Sequence, residues 1–372
     1  MTENINFKVS VRCMTYNQAV YIEDAMNGFC MQQTDFPFVC NVMDDASTDG
    51  EQDVIRKYLD EHFDLDEKNL IKKEETDDYK LILARHKKNI NCYFAVYFLK
   101  YNHYNSPQNK KRKLQYISAE ESKAKYIAFC EGDDYWTNLE KLQKQIDFLE
   151  NNKEYGMCFT DFDVYIQNRA ILKKSVLKNY PDIFPTNYNL DDWIVKKKYL
   201  GPMTWCVRRE IWLNAPNFKS VDLTFVWFAY FLSSTKIKCL KEETTAVYRL
   251  HAGGVTHQLK LAKQYQRHNG MFKTQMKLLD LFKDHLENYY KTKQTVEKDY
   301  YSNFFLLLSN KNEEEILEAV DFFGEDFAFK HKLMYALSKT SFGLNVMTVF
   351  VQGGVYVNHY LRCIYGYLNK KL

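Results

Sequence analysis

The chain has 372 residues, 46% of them apolar and 27% charged, which is enough to bury a substantial core and too hydrophobic for a disordered chain. Lys and Arg total 51 against 48 Asp and Glu, and the resulting net charge of +3 is too small to indicate a nucleic-acid binder. Nine Cys lack the spacing of a disulfide framework, no charged-then-apolar leader opens the sequence, and no run reaches the ~18 apolar residues of a membrane span.

Residues 7–13 read as a first strand. Ile22, Ala25, Met26 and Phe29 then recur at helical spacing, after a turn that contains Asn17. Residues 38–43 form a second short apolar run, and Val54, Ile55, Tyr58 and Leu59 mark the next helix. Residues 126–130 read as a further strand, with Leu139, Leu142, Ile146 and Leu149 on one face of the helix that follows. The alternation predicts βαβ units and a mainly parallel sheet up to about His251. A polar stretch at 101–113, with Pro107 and the basic run Lys110, Lys111, Arg112 and Lys113, interrupts it and reads as a surface insertion. After about Thr256 the strand signal fades, while Phe272, Met276, Leu279, Phe282 and Leu286 repeat at helical intervals. The expected division is a catalytic α/β domain at 1–255 and a helical region at 256–372. The apolar stretch at 342–357 is broken by Asn345, Gln352 and glycines, which argues against a span.

In an open parallel sheet, ligands collect beyond the carboxyl ends of the strands, so the residues that follow each predicted strand carry the functional weight. Three such segments are polar or acidic: Met14-Thr15-Tyr16-Asn17, Asp44-Asp45-Ala46-Ser47-Thr48-Asp49-Gly50 and Glu131-Gly132-Asp133-Asp134-Tyr135-Trp136. Taken singly, the second is an ordinary turn into a helix, and Asp133 and Asp134 are ordinary helix caps. Adjacent carboxylates beside Glu131 nevertheless repel one another unless a cation or protons compensate, and hard oxygen ligands of this kind suit Mg²⁺ or Mn²⁺ on substrate phosphates.

The run VSVRCMTYNQAVYIEDAMNGFCMQQ, then VMDDASTDG, then AKYIAFCEGDDYWTNLEKLQKQIDFLENN resembles the family 2 glycosyltransferases of bacterial surface polysaccharide synthesis. The likeness continues through GPMTWCVRREI and AVYRLHAGG and covers roughly the first two-thirds of the chain. The fold it implies is GT-A, a Rossmann-like α/β nucleotide-diphospho-sugar transferase fold with a mainly parallel central sheet, followed here by a mostly α-helical C-terminal region. The activity it implies is inverting, metal-dependent transfer of a single sugar from a nucleotide-sugar, with a UDP-sugar as the leading donor, to a glycan or lipid-linked acceptor.

The resemblance also assigns residues. Thr15 and Asp45, with Asp44 as a near alternative, match positions that contact the nucleotide, and Tyr16, Asn17 and Asp133 join that set. Asp134, Asp133, Glu131 and His251 are the metal candidates, although Glu131 stands where many relatives have Asp. Asp222 matches the catalytic base, with an N-cap of the apolar helix after it as the structural alternative. Trp136 and Arg249 are candidates for the acceptor or diphosphate side. Where relatives place an Asn or Arg-Asn pair on the nucleotide, this chain offers only Arg85, Asn89 and Asn91. The QxxRW signature of processive synthases is absent, which points to one transfer per encounter.

Competing classes fare worse. A haloacid-dehalogenase phosphatase needs an Asp two positions after its nucleophile, where Ala46 and Ser47 stand, and a dinucleotide oxidoreductase needs a GxGxxG that is missing. A sugar nucleotidyltransferase should carry a Gly-rich basic loop where MTYNQ stands, and a non-catalytic nucleotide-sugar-binding module is the remaining alternative. The expected setting is the cytoplasm, alone or at the inner face of its membrane. Phe304, Phe305, Tyr356, Tyr360 and Tyr365 fit helix packing or peripheral bilayer contact there. A homo-oligomer is compatible with all of this, and a nucleic-acid partner is not expected.

Overall fold

A computed structural model describes residues 5–66, 70–103, 116, 124–181, 188–197, 200–251, 261–303, 306–308, 313–323, 335, 336 and 340. The basic run Lys110 to Lys113, the aromatics Phe304, Phe305, Tyr356, Tyr360 and Tyr365, and the apolar stretch at 342–357 lie outside the described residues. The chain divides into two compact units: Met1–Tyr188 with Lys198–Pro216 and Tyr230–Ala252, and Asn189–Lys197 with Asn217–Ala229 and Gly253–Leu372. The expected boundary at 255 falls near one of these breaks, and the second unit also takes in two short segments from earlier in the chain.

Among the described residues, the first unit is built on one eleven-stranded sheet. Strands β1 (Val9–Thr15), β2 (Phe38–Asp44), β3 (Lys72–Glu75), β4 (Tyr79–Arg85), β5 (Cys92–Leu99), β6 (Tyr126–Phe129), β7 (Tyr135–Trp136), β8 (Tyr155–Ile166), β9 (Ile171–Lys173), β10 (Trp205–Arg208) and β11 (Lys236–Leu250) follow in sequence. Their spatial order is β3-β4-β5-β2-β1-β6-β10-β8-β11-β7, with β9 paired to β8. The centre, β5-β2-β1-β6, is parallel, and β8 pairs with β11 in parallel. Strand β10 runs antiparallel between β6 and β8, and β3-β4-β5 form an antiparallel edge. The central strands read as near-continuous apolar runs because both of their faces are covered; every residue of β2 and β5 is buried.

Helix α1 (Ile22–Cys30) buries Ile22, Ala25, Met26, Gly28 and Phe29, the face its spacing predicts, and α2 (Glu51–His62) buries Ile55, Tyr58 and Leu59. Helix α3 (Lys141–Asn151) buries Leu142, Ile146 and Leu149, but Leu139 stands before it and is 45% exposed. The side-chain carbonyl of Asn138 there accepts the Glu140 N–H at 2.8 Å, a local turn that holds the chain out of helix. Strand β1 starts two residues later than the sequence suggests, although Phe7 is itself buried.

In the second unit, α4 (Leu190–Lys196) is capped by Asn189, whose side chain accepts the Asp192 N–H. Helix α5 (Leu223–Ser234), which continues into the first unit, α6 (Leu261–Leu281), α7 (Tyr289–Ser302) and α8 (Glu313–Phe323) follow among its described residues. Phe272 and Tyr300 stack with ring centroids 3.9 Å apart, within a cluster that includes Tyr265, Tyr301 and Ile316. The expected helical character of the last third therefore holds for its described residues. Among those residues no helix is long and apolar enough to cross a membrane.

Candidate active site

Parallel pairing places Thr15 opposite Asp44 at the carboxyl ends of β1 and β2, while β6 flanks β1 on its other side. The loops that follow are knitted together. Asp45 donates its N–H to Thr15 O at 3.0 Å, and Gly132 donates to Met14 O at 3.2 Å. A Cβ on Gly132 would collide with Thr15 Oγ1 and Gln18 Oε1, so only glycine allows the acidic loop to close on the first loop.

Glu51, at the start of α2, is the hub of the first two loops. Its fully buried carboxylate accepts from Thr15 Oγ1, from the Gln18 N–H at 2.9 Å and from Ser47 Oγ at 2.8 Å. Burial is the main cause that raises its pKa, and these hydrogen bonds oppose it. Asn17 and Ala46 take left-handed backbone angles, φ 53° and 58°, which turn the two loops toward each other. The Asn17 side chain accepts the Thr48 N–H at 2.8 Å, and Asp49 accepts the Ala19 N–H at 2.9 Å. Of the expected nucleotide contacts, Tyr16 is 45% exposed, Asn17 is committed to the neighbouring loop, and Asp45 is 1% exposed. Asp44 is fully buried; Oδ2 accepts from Ser47 N and Gln52 Nε2, whereas Oδ1 has no hydrogen-bond partner among the described residues.

Strand β11 brings its last residues to the acidic loop. The Arg249 N–H donates to Asp134 Oδ1 at 2.9 Å, and His251 Nε2 lies 3.0 Å from Asp133 Oδ2. Burial, followed by the neighbouring Asp133 carboxylate, raises the Asp134 carboxyl well above the usual carboxylate range, and the Arg249 N–H pulls the other way. The Arg249 guanidinium pairs with Asp24 at 2.7 Å and sits 4.6 Å from the Tyr21 ring centre and 5.1 Å from that of Tyr135. Tyr21 also packs against His251, with ring centres 4.7 Å apart. Trp136 is 2% exposed and donates its indole N–H to Met203 O at 2.8 Å, a place in the core.

Among the described residues no three His, Cys, Asp or Glu side chains are grouped as a metal cage. A Mg²⁺ or Mn²⁺ ion that takes one or two carboxylates together with substrate phosphates needs no such cage. Asp133 and Asp134 supply that number, and the cost of charging Asp134, set first by burial and then by the Asp133 carboxylate, is what a bound cation would offset, so the donor set is compatible with the ion.

Arg85, Asn89 and Asn91 require correction. Arg85 pairs with Tyr93 and Asn91 precedes Cys92, so all three stand at the amino end of β5, the edge opposite the site. The two asparagine amides are also engaged elsewhere: Asn89 donates to Cys30 O and Gln32 O, and Asn91 to Thr34 O. Asp222 belongs to the second unit, just before α5. Its Oδ1 accepts from the Phe225 N–H at 3.1 Å and from Thr224 Oγ1 at 2.6 Å, a capping arrangement, and Arg267 lies 3.9 Å from Oδ2.

Sequence reasoning missed Glu51, Tyr21, Asp24 and His103. Glu51 carried a weak signal as the first acidic residue after a turn; the others carried none, because their partners lie far along the chain.

The crystal structure of Staphylococcus aureus TarS in complex with UDP-GlcNAc superposes with a TM-score of 0.50 at 18% identity, covering 85% of this chain and 80% of that one. The chain has the GT-A glycosyltransferase fold. In sequence, this GT-A chain is 26% identical over 289 residues to an uncharacterized protein of Mycobacterium tuberculosis, covering 75% of this chain and 70% of that protein. It is also 24% identical over 223 residues to the putative teichuronic acid biosynthesis glycosyltransferase TuaG of Bacillus subtilis, covering 59% of this chain and 71% of TuaG. No family model matches the GT-A chain.

Proposed function

We propose that this protein transfers one sugar from a nucleoside-diphosphate sugar to a hydroxyl acceptor, with inversion at the anomeric carbon, during synthesis of a bacterial surface glycan. The observation that carries the reading is the gathering of Thr15, Asp44, Asp45 and the loop of Glu131, Asp133 and Asp134 beyond the carboxyl ends of neighbouring parallel strands. The UDP-GlcNAc held by TarS favours a uridine nucleotide as carrier, and the name of TuaG favours a polysaccharide destination.

In the proposed reaction the acceptor oxygen attacks the anomeric carbon while the bond to the diphosphate breaks and its electron pair leaves with the phosphate. The acceptor proton passes to a carboxylate base, for which the resemblance designates Asp222. Asp133 and Asp134 would hold Mg²⁺ or Mn²⁺, which supplies charge neutralisation for the leaving diphosphate when bound. Asp44 and Asp45 would receive the nucleoside, and Asp44 Oδ1, which has no partner among the described residues, is an acceptor for a donor group of that ligand.

Thermal melts of the purified protein across a panel of nucleotide-sugars, with and without Mn²⁺, test the reading. One donor plus the metal should raise the melting temperature, and slow donor hydrolysis should accompany it. Asp134→Ala should lose both effects. If no nucleotide-sugar stabilises the protein, the reading fails; stabilisation without hydrolysis or transfer identifies a binding module instead.

A further inference from the structure

Tyr101 to His103 leave the end of β5 in a stretch whose composition suggests a surface insertion, yet His103 is fully buried. Its backbone N–H donates to Asp45 Oδ1 at 2.8 Å, and the neighbouring Asn102 Nδ2 donates to Asp45 O at 3.1 Å. His103 Nδ1 lies 2.7 Å from Tyr101 O and 3.5 Å from Asp45 Oδ1. A carbonyl only accepts, so Nδ1 carries a hydrogen that it gives to Tyr101 O, and the imidazole packs against Asp45 Oδ1 beyond hydrogen-bond length. The Tyr101 ring stacks on the imidazole, with centres 4.6 Å apart and 11° between planes. On the far side, His103 Nε2 is 3.4 Å from Tyr116 Oη, and the Tyr116 hydroxyl donates to Asp78 Oδ2 at 2.8 Å. Tyr101 Oη also donates to Asp78. The imidazole is thus wedged between Asp45 and a Tyr-Asp-Tyr clamp anchored at the β3–β4 turn.

We propose that His103 is a positioning residue that holds the Asp45 carboxylate in its nucleotide-receiving orientation, so that the segment after β5 sets nucleotide affinity. This rests on the nucleotide-sugar reading above. Asp45 is 1% exposed, and a buried carboxylate keeps one rotamer only where fixed donors hold it. An alanine at 103 leaves the backbone N–H but removes the wedge.

The test is titration calorimetry of UDP, with KM and kcat for whichever nucleotide-sugar the melting panel selects, on wild type, Asp45→Asn, His103→Ala, His103→Asn, Tyr116→Phe and Asp45→Asn with His103→Ala together. His103→Ala should raise the UDP dissociation constant and donor KM about tenfold, on the scale of one buried hydrogen-bonded group, and change kcat by less than about threefold. His103→Asn, whose amide N–H can replace Nδ1–H, should restore most of the affinity, and Tyr116→Phe should weaken it by about threefold. Combining His103→Ala with Asp45→Asn should add nothing to the larger single effect, because both act through one carboxylate. Additive losses, unchanged UDP affinity in folded His103→Ala, or a fall in kcat alone would overturn the proposal. Should His103→Ala not fold, the Tyr116→Phe and His103→Asn affinities decide by the same criteria. Failure of wild type to bind any nucleotide would instead sink the functional reading, which separates the two.

Discussion

Lys141 has its ammonium fully enclosed, hydrogen-bonded to Gln145 Oε1 at 2.6 Å and placed 4.4 Å from the centre of the Trp136 ring. Burial lowers its pKa from 10.5 to about 8, because one hydrogen bond and a ring face do not replace the water that a charged amine loses. Between those two values the unfolded chain binds more protons than the folded one, so stability should rise with pH across that interval and be lowest below it. Relative to Lys141→Met, wild type should gain up to about 3 kcal/mol between pH 7.5 and pH 10, measured by urea denaturation. Parallel curves for the two proteins would show that the ammonium is better solvated than its enclosure implies. Such a residue is invisible in sequence, where Lys141 reads as an ordinary solvated position in the first turn of a helix. The acidic pairs, by contrast, were legible, since Asp44 with Asp45 and Asp133 with Asp134 each lie side by side in the chain and follow a strand.

At the scale of elements, α1 is held against β7 through Gly28. An added Cβ there would stand 2.8 Å from the Trp136 backbone nitrogen and 3.0 Å from its carbonyl oxygen, neither of which can swing aside as a side chain does. In an exposed helix interior, glycine to alanine stabilises by about 1 kcal/mol. Here Gly28→Ala should instead cost about 1–3 kcal/mol, the penalty of overpacking against fixed atoms, as read from the urea midpoint. A raised midpoint would mean that the helix stands farther from Trp136. The βαβ alternation was legible because β1, β2 and β6 are apolar runs and α1 to α3 carry period-3.6 faces. The antiparallel edge was not, since β3 reads Lys-Lys-Glu-Glu and is charged, as exposed edge strands are. Nor was the antiparallel insertion of β10, whose four residues owe their place to partners on β6 and β8.

For the whole molecule, the functional proposal turns on a base. Asn is as good a cap as Asp and keeps the carbonyl oxygen that accepts from Phe225 and Thr224, so Asp222→Asn should fold normally. It should lose about 10²–10⁴-fold in kcat, the usual worth of a positioned base, while UDP affinity measured by calorimetry stays unchanged. A variant with ordinary turnover would leave Asp222 as a cap alone and send the search for a base to other carboxylates.

The sequence by itself determined the fold class and pointed to the acidic loops of the candidate site, because hydrophobic period and strand-to-loop punctuation are local properties that a linear text preserves. Only tertiary structure decided that Glu51 ties Thr15 to Ser47, that Arg249 and His251 return to Asp134 and Asp133, and that His103 is a buried neighbour of Asp45. Those contacts join residues far apart in the chain, where register between strands, and no feature of either segment alone, selects the partner.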